Sequence, residues 1–78
     1  MHYVYILRDD DGDVYKGYSD NLKKRLQYHK SGDVQSTRKY KDLKLIWFCA
    51  FRDKKRALDF EKYLKEGSGH AFARKRLI

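Results

Sequence analysis

Asp9-Asp10-Asp11-Gly12-Asp13 is the strongest constraint on how this chain can fold. It is a dense turn signal set between two runs of β-branched and aromatic residues, Tyr3 to Leu7 and Val14 to Tyr18. Such a pattern makes a β-hairpin. A three-residue loop of Asp10-Asp11-Gly12, with Gly12 left-handed, sets Asp9 opposite Asp13 and Leu7 opposite Tyr15. Tyr5 and Tyr15 then share one sheet face as diagonal neighbours, roughly 7–8 Å apart at the backbone. A two-residue turn would put them on opposite faces, so the turn length decides which side chains can act together.

Downstream, Leu22, Leu26 and His29 fall on one helical stripe between Asp20 and Lys30, with Arg25 at its edge. Ser19 or Asp20 can cap a helix starting at Asn21, and Ser31-Gly32 closes it. Asp33 to Asp42 lacks apolar periodicity and reads as a polar, basic surface loop carrying Ser36, Thr37, Arg38 and Lys39. Lys44 to Phe51 is apolar enough to be expected as the central, most buried strand. Asp53 caps a second helix to about Glu66, with Ala57, Phe60 and Leu64 as its apolar stripe; Gly67-Ser68-Gly69 breaks it before a short basic helix, His70 to Leu77. The expected order is ββαβαα, an α+β domain over 1–78 with a small three-stranded, mainly antiparallel sheet flanked by helices.

With 78 residues, there is room for one core and one shallow site. Nineteen Lys and Arg against 11 Asp and Glu leave a net charge of +8, which favours a polyanionic partner. An aromatic content of 15% is too high for a disordered basic tail, so a folded nucleic-acid binder is expected. The lone Cys49 excludes an intramolecular disulfide and a multi-cysteine zinc cage, and its apolar surroundings read as a buried structural thiol. No window reaches the length of a membrane span and no leader pattern opens the chain, so a soluble, cytoplasmic protein is expected, with its oligomeric state open.

Arg25 and Glu61 sit where their helices ought to carry apolar residues. Inward charge costs several kcal/mol unless it is paired, metal-bound or lining a cleft. Arginine suits a phosphoryl group because its planar fork grips two oxygens. Glu61, a hard oxygen ligand, suits Mg²⁺, which takes one or two carboxylates and fills its shell with water and phosphate oxygens. A buried Arg25–Glu61 ion pair is the competing account. His29, four residues after Arg25, can bond the same phosphate, tune a tyrosine, or fill the seam between helix and sheet. A phenol at Tyr5 or Tyr15 that meets a cation can act as general base or as a phosphate donor.

These residues together resemble the GIY-YIG nuclease superfamily, in the small form related to the N-terminal nuclease domain of the excision-repair subunit UvrC. Tyr3-Val4-Tyr5 is similar to the first signature triplet and Tyr15-Lys16-Gly17 to the second, and Asp20 to Leu26 is similar to the helix that follows. The resemblance implies metal-dependent hydrolysis of DNA, with RNA also possible as a substrate, by an endonuclease or nicking enzyme using one Mg²⁺ or Mn²⁺. Its implied catalytic set is Tyr5, Tyr15, Arg25, His29 and Glu61, with Glu61 as metal ligand and either tyrosine as base. Lys16, Lys23, Lys24, Ser36, Thr37, Arg38 and Lys39 are expected to contact the nucleic acid. With no targeting domain attached, low sequence specificity and a single-stranded or branched substrate are expected. A non-catalytic nucleic-acid-binding module keeping the same fold is the alternative.

Overall fold

A computed structural model describes residues 1–32, 34, 37, 40 and 42–77. Its elements are β1 (His2–Arg8), β2 (Val14–Ser19), α1 (Leu22–Ser31), β3 (Lys44–Phe51), α2 (Lys54–Lys65) and α3 (Gly67–Arg76), so the ββαβαα order stands. The hairpin turns as its residues dictate. Gly12 takes φ +86°, the Asp9 N–H donates to the Asp13 carbonyl at 2.9 Å, and Asp9 Oδ1 accepts from the Asp11 and Asp13 amides. Leu7 is opposite Tyr15 and Tyr5 is opposite Gly17. Tyr5 and Tyr15 are therefore on one face, while Val4, Ile6 and Lys16 are on the other.

The sheet is wholly antiparallel with strand order β2-β1-β3, which corrects the expectation that Lys44 to Phe51 would lie at its centre. β1 is the central strand, and Val4, Tyr5, Ile6 and Leu7 are buried on both of its faces. β3 is an edge whose Leu45 and Phe48 stay exposed, and an irregularity between Ile6 and Leu7 shifts its register. Cys49 is only half-buried there, and desolvation still raises its thiol pKa. Val4 and Ile6 pack with Ala57, Leu64 and Ala73 into a core under α2 and α3. α1 supplies His29 to the tyrosine face, so helices serve both sides of the sheet.

Capping follows local chemistry, one residue later than expected at α1. Asn21 is its N-cap, with the side-chain oxygen accepting from the Lys24 amide at 3.1 Å, and Ser19 instead bonds the Asn21 backbone. Gly32 closes the helix at φ +82°. Asp53 caps α2 through the Lys55 amide at 3.0 Å. Among the described residues no helix is long and apolar enough to cross a membrane.

Gly67-Ser68-Gly69, expected as a break, instead forms the first turn of α3. The tight joint between α2 and α3 explains the glycine at 69: a Cβ there would strike the Tyr63 carbonyl, whereas one at Gly67 meets open space. Gly69→Ala should therefore lower the melting temperature by an amount equivalent to about 1–3 kcal/mol of overpacking, and Gly67→Ala should not. Thermal melts of the two variants check this, and equal melting temperatures would contradict a close backbone approach at Gly69.

Candidate functional site

Tyr5 lies at the middle of the central strand, between Gly17 on β2 and Phe48 on β3. Its ring occupies the space that a side chain at position 17 would need. A Cβ on Gly17 would come within 2.5 Å of both the Tyr5 Cζ and its hydroxyl oxygen, and 2.9 Å from the Tyr15 ring. The glycine of the second triplet is thus the floor on which one tyrosine lies and against which the other stands. Tyr5 and Tyr15 have ring centroids 6.4 Å apart, and His29 meets both edge-on, at 5.6 and 5.3 Å.

The polar atoms form one chain. The Tyr5 hydroxyl and His29 Nε2 are 2.7 Å apart, as are His29 Nδ1 and Thr37 Oγ1. The Thr37 hydroxyl donates to the Val34 carbonyl at 3.3 Å, so Oγ1 accepts from His29 Nδ1–H and leaves Nε2 to accept from the Tyr5 hydroxyl. The electrostatics agree with that direction. Burial, then Tyr15, push the Tyr5 phenol well above the usual tyrosine range, with Arg25 pulling it down and Glu61 adding to the rise. Burial, then Arg25, hold His29 below the ordinary imidazole value. Tyr5 keeps its proton and His29 stays neutral.

Arg25 and Glu61 both act on the Tyr5 hydroxyl, from different helices and with opposite sign. They do not pair with each other: Glu61 Oε2 accepts from Lys65 Nζ at 3.3 Å, and among the described residues no ion pair includes Arg25. The expected alternative, an Arg25–Glu61 salt bridge, is therefore absent. Arg25 is half-buried and lines a shallow depression of about 210 Å³ with Ser19, Asp20, Asn21, Lys24 and Tyr28. Lys65 of α2 also lies over the Tyr15 ring, 6.0 Å from its centroid.

Two expected nucleic-acid contacts have other tasks. Lys16 points to the core face, buried at 7% exposure, and its ammonium donates to the Leu64 carbonyl at 2.7 Å and to His70 Nδ1 at 2.8 Å. Burial, then Lys65, lower its pKa. The reason is parity, because Lys16 is opposite Ile6. Thr37 is 2% exposed and orients His29. Lys23 and Lys24 are exposed on α1 as expected, while Ser36, Arg38 and Lys39 lie outside the described residues. Sequence reasoning missed the roles of Thr37 and Lys65. Gly17 carried a signal as the last residue of its triplet, but the ring it accommodates was not visible.

Among the described residues no group of three His, Cys, Asp or Glu converges as a metal cage. The carboxylate expected to hold a metal, Glu61, has a side chain that is 20% exposed and one oxygen paired with Lys65. One hard carboxylate open to water and substrate oxygens fits Mg²⁺ or Mn²⁺ and does not fit a closed structural zinc site.

Residues 1–75 match the GIY-YIG catalytic domain family, and the chain belongs to it. The family implies nuclease activity and hence a nucleic-acid substrate. A UPF0213 protein of Clostridium perfringens is 39% identical over 67 residues, which cover 85% of this chain and 72% of that one. A UPF0213 protein of Bacillus licheniformis is 38% identical, covering 83% of this chain and 68% of its own length. The solution structure of a UPF0213 protein from Bacillus halodurans superposes with a TM-score of 0.61 at 30% identity, covering 97% of this chain and 85% of that chain.

The buried histidine gives the stability a pH dependence of definite sign. Below the ordinary imidazole value of 6.5 the unfolded chain takes up a proton that folded His29 resists. His29 therefore makes stability fall as pH drops through that window, with its contribution complete above it. Melting temperatures across this range should decline more steeply for the wild type than for His29→Gln. Parallel profiles would show that His29 titrates as it does in the unfolded chain.

Proposed function

We propose that this face hydrolyses phosphodiester bonds of DNA, using one Mg²⁺ or Mn²⁺ held by Glu61. The observation that carries the reading is that Arg25 and Glu61 act with opposite sign on the same phenol without pairing with each other, Arg25 lining an open depression as a cation for a phosphate and Glu61, held by Lys65 through one oxygen in a partly exposed pair, supplying a carboxylate for a metal. When bound, the metal would draw charge off the phosphoryl and leaving oxygens. Arg25 grips the phosphoryl group and offsets the charge that builds in the transition state. Tyr5 keeps its proton, donated in a hydrogen bond to His29, and acts as a fixed post, so the base role falls to half-buried Tyr15, which in its phenolate form takes the proton of the attacking water and becomes the neutral phenol. Exposed Lys23 and Lys24 hold the flanking backbone electrostatically.

Two variants test the division of labour. Glu61→Gln removes a partly exposed i,i+4 pair with Lys65, so its stability should change by no more than about 0.5 kcal/mol. Its metal-dependent cleavage should collapse while binding holds or tightens, because a negative charge beside the phosphate has gone. Arg25→Ala should lower turnover by about 10²-fold or more and affinity by much less. Cleavage and melting are measured for both variants. Full activity in Glu61→Gln would contradict metal binding by that carboxylate, and equal losses of affinity and rate in Arg25→Ala would recast Arg25 as a simple phosphate anchor.

A further inference from the structure

Phe48 is 51% exposed on an edge strand, the most exposed large hydrophobic residue after Met1 among the described residues. Its register decides where it points. Phe48 is opposite Tyr5, and Tyr3 lies two residues before Tyr5 on the same strand, so both rings face the side that carries the site. Their centroids are 6.4 Å apart with planes tilted by 57°. With Leu22 and Leu26 of α1 they wall a groove of about 540 Å³, within the size range of small-ligand sites, and Lys23 stands on its rim. Asp20 and Asn21 line both this groove and the depression that holds Arg25, so the two adjoin across the start of α1.

We propose that Tyr3 and Phe48 form a stacking subsite for an unpaired nucleobase next to the phosphate held at Arg25. The occupant must offer a flat apolar body to the exposed Phe48 ring, with Tyr3 against its edge, and an anionic chain to Lys23, Lys24 and Arg25, and a nucleotide does both. In a duplex the bases stack on one another and cannot reach such a groove, so the substrate class is nucleic acid with at least one unpaired nucleotide beside the cut. The position of the phosphate rests on the proposed nuclease function; the stacking surface stands on its own geometry.

The test is an oligonucleotide carrying 2-aminopurine at one unpaired position, titrated with the full chain under chelator so that no turnover intervenes. The fluorescence should be quenched on binding. Phe48→Ala, an exposed change, should relieve the quench and weaken affinity about tenfold, within the range of losing one stacked base, and Phe48→Trp should restore both. Phe72→Ala, which removes an exposed ring from α3 on the other side of the sheet, should change neither. An unchanged quench and affinity in Phe48→Ala, or a fully paired duplex bound as tightly with the same dependence on Phe48, would overturn the proposal. Stacking that persists in a protein with no cleavage would instead sink the nuclease reading alone.

Discussion

The parity of the β1–β2 hairpin is the constraint on which everything else depends. Gly12 in the left-handed region closes a three-residue turn, and the turn sets Tyr5 against Gly17 and Ile6 against Lys16. A slip of one residue would send Tyr15 and Gly17 to the core face and bring Lys16 to the site. Asp9 ties the loop through two backbone amides, and that local hydrogen bonding holds the register.

From that parity the site is assembled in layers. Gly17 leaves room for the Tyr5 ring, the buried ring carries its hydroxyl to His29, and Thr37 fixes His29 from behind. None of these atoms is left without a partner, and among the described residues no buried side-chain polar atom is unsatisfied. The chain of bonds commits the Tyr5 proton and keeps His29 neutral, so the charged groups near the hydroxyl are Arg25 and Glu61. α1 and α2 bring those two charges in from different parts of the chain, which is why they can face a common ligand.

Much of this is legible in the residues alone, because the signals are local. Turn chemistry places the hairpin and its register, the break in apolar periodicity singles out Arg25 and Glu61, and Gly32 marks the end of α1. Long-range pairing is not legible. An apolar run such as Leu45 to Phe51 reads as buried, yet a three-stranded sheet has two edges, and the strand buried on both faces is β1. The fate of Lys16 depends on the Leu64 carbonyl and on His70, both some fifty residues away, and Thr37 is hidden in a loop whose composition is polar. The α2–α3 joint escapes sequence reasoning because Gly69 serves a close backbone approach, which local propensity cannot distinguish from a helix break.

The central claim is that this arrangement cuts nucleic acid with a metal and does more than bind it. Incubating the purified wild-type chain with single-stranded, branched and duplex DNA, with Mg²⁺ or with excess chelator, tests that claim most directly. Cleavage should appear with Mg²⁺, disappear with chelator and return when the metal is restored. Tight, salt-sensitive binding with no cleavage of any substrate in either condition, or cleavage indifferent to chelator, would contradict it.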